Sequence, residues 1–108
     1  LGTVHTEAYN HTKGTQKGSS TEVSTCYSDF HLYAMEWDAS QIKIYVDDRL
    51  YFTFKNEVTG STTWPFDKRF HLLLNVAVGG NWGGQQGIDD AIFPRSMVVD
   101  YVRVYRLD

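Results

Sequence analysis

The chain has a single cysteine, Cys26, which excludes an internal disulfide, a thiolate zinc cluster and a disulfide-stapled miniprotein. One thiol fits any redox compartment and assigns none. Basic runs are missing, and the formal net charge is −3, so neutralisation of a phosphate backbone is a poor fit and no nucleic-acid partner is expected. No apolar stretch approaches the ~20 residues that carry a helix across a bilayer, so no membrane span is expected. Helical periodicity is absent as well: no window of about eleven residues repeats apolar side chains at i, i+3, i+4 and i+7. There is no Gly-x-Ser-x-Gly elbow, His-x-x-x-His pair or Asp-x-Asp-x-Asp spacing. Serine-hydrolase, transition-metal and EF-hand chemistry are therefore unsupported.

What is present belongs to a folded protein. Hydrophobic residues make up 42% of the 108, enough to argue against disorder and for one core in a single domain, residues 1–108. The chain opens Leu1-Gly2-Thr3-Val4-His5, without Met and already reading as a strand, which suggests a processed piece of something longer. Asn10-His11-Thr12 is a formal glycosylation sequon of a kind that arises often by chance.

Short β-rich runs separated by polar or glycine clusters mark an all-β chain. The first run is 2–9. Residues 10–20 contain no large apolar side chain and read as a mobile loop, and 21–27 as a short, polar strand in an exposed or edge position. Phe30–Trp37 is apolar on both parities, as in a strand buried on both faces. Gln41–Val46 alternates, with Ile42, Ile44 and Val46 on one face, and Asp47-Asp48 turns the chain into Leu50–Phe54, a hairpin. Residues 55–68 form an irregular connection with Trp64-Pro65. Phe70–Val78 is the longest apolar strand, 79–95 a loop holding five of the nine glycines, and Met97–Tyr105 a closing strand. About seven strands without a helix mean a sandwich or jelly roll.

Candidate chemistry is sparse. Retaining glycosidases need two carboxyl groups ~5–5.5 Å apart, which alternate strand residues can supply. Glu7, Glu22, Glu36 and Glu57 do not stand two or four residues apart. Glu36-Trp37-Asp38-Ala39-Ser40-Gln41 comes near that pattern but ends in Gln; Glu36 is expected to face solvent or make a structural bond, and Asp38 to cap a turn. His31 alternates with Tyr33, Met35 and Trp37 and reads as a packed core histidine. His5 and Glu7 put two polar groups on one face of the first strand, where a functional and a structural role fit equally. Asn75 shares parity with His71, Leu73 and Ala77 and either satisfies backbone or faces a cleft; a cleft is expected. Flat rings match the C–H faces of a pyranose, and Trp82, in a glycine-rich loop beside that strand, is a candidate of this kind. Trp64 is expected to anchor its connection and Trp37 to sit in the core.

Four segments, GTVHTEAYN (2–10), FHLYAMEWDASQIKIYVDD (30–48), WPFDKRFHLLLNVAVGGNWGG (64–84) and FPRSMVVDYVRVY (93–105), together resemble glycoside hydrolase family 16, the laminarinase-like and lichenase-like β-glucanases. The resemblance implies a β-jelly-roll of two curved antiparallel sheets, concanavalin-like, with this chain supplying roughly half. It implies secreted or cell-surface enzymes that cut β-1,3- or mixed β-1,3/1,4-glucan with retention. The family's Glu-x-Asp-x-(x)-Glu signature lies just before the GTVH segment and is not in this chain. The resemblance thus makes the chain the C-terminal half of the domain, partnered by its N-terminal half, with β-glucan as ligand. By position, His5 and Glu7 would contact sugar near the cleavage point, Asn75 would bond glycan hydroxyls and Trp82 would border the cleft. Asp100 matches a carboxylate that binds a structural calcium in many relatives. The alternatives are a non-catalytic β-glucan-binding module of the same fold and a generic sandwich interaction domain.

Overall fold

The computed structural model describes residues 1–106, which fall into two compact units, Leu1–Phe70 and the segment that starts at His71. In the first, β1 (Gly2–Val4) pairs antiparallel with β2 (Lys17–Ser19), and β3 (Tyr33–Trp37), β4 (Gln41–Val46) and β5 (Arg49–Lys55) form an antiparallel sheet in that order. The hairpin follows from its sequence. Val46 pairs with Arg49, leaving Asp47 and Asp48 as a two-residue loop with φ of 48° and 64°. Both positive values are what a type I′ turn requires, and Asp tolerates them. A register shift between Ile44 and Tyr45 leaves Tyr51 as the extra residue of a bulge.

Alternation along β4 points Ile42 and Val46 inward. Ile42 joins Val4, Phe54 and Trp64 in the core, with Tyr9, Trp37, Ile44, Phe52 and Phe66 packed around them. Trp64 stacks on Phe54 at 5.5 Å between centroids, and the Trp37 indole N–H donates to Phe66 O at 3.0 Å. The anchoring role expected of Trp64 and the core role of Trp37 are thus both seen. Burial of each large side chain is worth ~1.5–3 kcal/mol. Gly2 sits at a close approach: a Cβ there would lie 2.8 Å from the Tyr51 hydroxyl oxygen, so that side chain would have to shift.

Several expectations for this unit need correction. The first strand ends at Val4 because Thr6 N–H turns back to Tyr9 O at 2.8 Å. Residues 10–20 are not a featureless loop: Asn10 caps a 3₁₀ turn at His11–Lys13, and β2 follows. Residues 21–27 contain no strand; Cys26, Ser28 and Asp29 N–H groups close turns onto Val23 and Thr25 carbonyls. β3 is not buried on both faces. Among the described residues it has one strand neighbour, β4, and Tyr33 and Met35 are more than half exposed.

The second unit departs further from expectation. Neither 70–78 nor 97–105 is a strand; α1 (Gly80–Gly83) is a single turn, and Asp89 caps a 3₁₀ turn at Asp90–Ile92. Leu72, Leu73, Leu74, Val76 and Val78 are all exposed. A strand is stabilised by the ladder it shares with a neighbour, and among the described residues nothing pairs with these two segments. Gly79, at φ +72°, admits the Ile88 side chain to within 2.8 Å of where a Cβ would stand. No helix among the described residues is long and apolar enough to cross a membrane.

Candidate functional site

His5 lies one residue beyond β1, exposed, with its ring edge-on to His11 at 5.2 Å. Glu7 is exposed within the Thr6–Tyr9 turn, which Tyr9 N–H tightens through Thr6 Oγ1 at 3.0 Å. The two therefore do not share a strand face. The turn after Val4 re-aims Glu7, and His11, from the capped 3₁₀ turn, comes to His5 instead. Asn10 holds that turn by accepting from Thr12 N–H and Thr12 Oγ1–H, both at 2.9 Å.

Sequence reasoning missed a polar cluster beside these residues. The Tyr9 hydroxyl donates to Glu57 Oε2 at 2.5 Å, and Lys17 Nζ sits 4.8 Å from the centre of the Tyr9 ring. The carboxylate acceptor pushes the Tyr9 phenol above its ordinary pKa of 10.0. Tyr9 and Glu57 are 48 positions apart, so no local spacing could announce the contact. Lys17 and Glu57 line a shallow depression of about 400 Å³ with Gly18 and Phe52–Lys55.

Glu36 and Asp38 play the structural parts expected of them. Glu36 Oε2 accepts from the Tyr45 hydroxyl at 2.7 Å and lies 3.9 Å from Lys43 Nζ. Asp38 Oδ1 accepts from the Ser40 hydroxyl at 2.5 Å, Ser40 N–H at 2.6 Å and Gln41 N–H at 3.0 Å. Those bonds, the Ser40 hydroxyl first, hold its carboxyl below the usual 3.8. His31 is largely buried, its side chain 12% exposed, but it lies outside the hydrophobic core cluster: its ring bridges Asp47 and Thr25, at 2.6 and 2.9 Å.

In the second unit, Asn75 is exposed in the unpaired 71–78 segment, and Trp82 in α1 leaves 79% of its surface open. An indole presented this way can take a sugar face without first losing a protein partner. Asp100 is exposed and offers one carboxylate where calcium takes about 6–8 oxygens. Among the described residues no group of three or more His, Cys, Asp or Glu side chains could hold a metal ion. These residues alone do not build the expected calcium site.

Comparison with known proteins decides the family. The profile of glycosyl hydrolases family 16 matches residues 1–103. The chain belongs to that family. It is 57% identical to a β-glucanase of Rhodothermus marinus over 110 aligned positions, covering 97% of this chain and 38% of that protein. The X-ray structure of the laminarinase from Rhodothermus marinus superposes with a TM-score of 0.83 at 54% identity, over 85% of this chain and 39% of that one. A mutant of SCLam, a non-specific endo-β-1,3(4)-glucanase co-crystallised with a glucan oligosaccharide, gives 0.80 at 48% identity, over 85% and 36%. The chain thus spans well under half the length of the relatives it matches. The all-β class stands, and the antiparallel sheets of residues 1–70 are part of the family 16 jelly roll.

Proposed function

We propose that these 108 residues form part of an enzyme that cuts internal bonds of β-1,3- or mixed β-1,3/1,4-glucan with retention of configuration. The chain would supply glucan-binding side chains, and the catalytic Glu-x-Asp-x-x-Glu carboxylates would lie outside it. The observation that carries this reading is the 57% identity to a β-glucanase along nearly the whole chain. The exposed apolar segments 71–78 and 97–105 support it, because strands from the rest of a domain of the relatives' length would pair with them and bury them. The 108 residues would then be one part of a single catalytic domain.

Within that reading, Trp82 stacks on a pyranose, Asn75 exchanges hydrogen bonds with sugar hydroxyls, and His5 and Glu7 contact the sugar near the bond that breaks. These groups hold the glucan in register, which is where much of the positioning energy of catalysis arises. In this reading the polymeric substrate favours a secreted or cell-surface enzyme. A structural calcium would take one oxygen from Asp100 and the others from outside the chain; chelation would then lower the Tm of the full-length protein.

The experiment is an assay of the full-length protein on laminarin and barley glucan. We expect release of oligosaccharides, with Trp82→Ala weakening glucan binding by about 10- to 150-fold, the equivalent of ~1.5–3 kcal/mol for burying a large apolar side chain. Glucan binding without release would mark a recognition module instead. Absence of both would remove the glucan reading.

A further inference from the structure

One imidazole closes the segment that leads into β3. His31 Nδ1 lies 2.6 Å from Asp47 Oδ2, and Nε2 lies 2.9 Å from Thr25 Oγ1. Asp47 is the first residue of the β4–β5 turn. Its other oxygen accepts from Leu32 N–H at 2.9 Å, and its own N–H donates to Leu32 O at 2.9 Å. The upstream part of the segment has a different anchor: the Arg49 guanidinium donates to Thr21 Oγ1 and, at 3.1 Å, to Glu22 O. Between the anchors runs a tight series of turns in which Ser28 and Asp29 N–H groups both reach Thr25 O at 3.0 Å. A depression of about 310 Å³ joins the two anchors and is lined by Glu22, Thr25, His31, Asp47 and Arg49 among others.

We propose that His31 is a pH-operated clasp: protonated, it locks residues 24–30 onto the β4–β5 turn, and deprotonated, it loosens them while Arg49 keeps residues 21–22 in place. Imidazolium has two N–H donors, which match one carboxylate and one hydroxyl oxygen at the same time. Neutral imidazole has one donor, so the bond to Asp47 loses half of its charge assistance and Thr25 must reverse its hydroxyl. Arg49 stays charged throughout, so the second anchor does not titrate.

The charged groups around the ring set the direction. The hydrogen bond to Asp47 raises His31 above 6.5, with Thr25 and the charge of Asp29 acting the same way against partial burial. Reciprocally, His31 and then the Leu32 N–H hold Asp47 below 3.8, helped by Arg49. Glu22 faces the same depression. A raised histidine stabilises the fold fully below its unfolded value and ceases to do so as pH rises through its folded value. A lowered carboxylate stabilises above its unfolded value and fails as pH falls through its folded one. The clasp is therefore closed from below pH 3.8 to above pH 6.5, bounded by the two shifted groups.

The test is an NMR titration of the full-length protein with isotope-labelled histidine rings, the His31 signal being the one lost in His31→Gln. We expect a His31 midpoint above 6.5, with the Ser28 and Asp29 amide shifts following the same midpoint. Asp47→Asn should bring the midpoint down to 6.5 or lower. Thr25→Val keeps the Asp47 pair, so the raised midpoint should persist while the Ser28 and Asp29 amides stop following it. A wild-type midpoint at or below 6.5 would overturn the proposal. Unchanged pH-dependent amide shifts in His31→Gln would do the same. If Asp47→Asn does not fold, wild type, His31→Gln and Thr25→Val still decide the matter, and none depends on the glucanase reading.

Discussion

Residues 41–55 and residues 71–78 are both rich in strand-forming apolar side chains, yet the first stretch is a sheet and the second is not. The difference lies in what each finds nearby. β4 meets its partner after a two-residue turn, and β5 folds back on it with Ile42 opposite Phe54. Closing so short a loop costs little entropy, and the ladder forms from local sequence. The run from His71 to Val78 has apolar residues on both parities, the pattern of a strand covered on both faces, and among the described residues it has no neighbour on either side. Apolar composition marks a segment as a strand in waiting; a partner makes it one.

The comparison can be broken most severely at the core of residues 1–70. Trp64→Ala removes a ring stacked on Phe54 from a site that is 6% exposed. It should cost ~3–5 kcal/mol in the full-length protein, read from a denaturant midpoint. Gly2→Ala comes next. The new methyl meets the Tyr51 side chain, and displacement of β1 should cost ~1–3 kcal/mol in the same measurement. Leu73→Lys sharpens the contrast between the two regions. In the isolated 108-residue chain, where Leu73 is 81% exposed, the change should fall within about 0.5 kcal/mol. In the full-length protein the same substitution should be markedly destabilising if, as proposed, strands from outside these residues cover that side chain. The turn gives a small effect of opposite sign: Asp48→Gly, at φ 64°, should stabilise the hairpin, seen as a slightly raised Tm.

Local chemistry was readable from the residues. The Asp47-Asp48 turn, the alternation of Ile42, Ile44 and Val46, the Asp38 cap and the anchoring role of Trp64 all follow from rules that act over a few positions, and the structure shows each. What escaped depends on distance or on partners. No pattern shows that Thr6 would turn back on Tyr9 and separate His5 from Glu7, or that Tyr9 would find Glu57. His31 looked like a core residue because its alternate neighbours are apolar; its two ring bonds run to residues 6 and 16 positions away. The strands expected at 70–78 and 97–105 failed for a third reason. Their residue types are those of strands, but the ladder they need is not made by any described residue. The candidate site was legible as far as the family pattern carried it, which is to four side chains whose contact with sugar is proposed.

The most direct measurement is amide hydrogen exchange on two samples, the 108-residue chain and the full-length protein. The account expects residues 42–46 and 49–55 to be protected in both, and 71–78 and 97–105 to be open in the short chain but protected in the long one. Equal protection of 71–78 in both samples, or protection in neither, would contradict it.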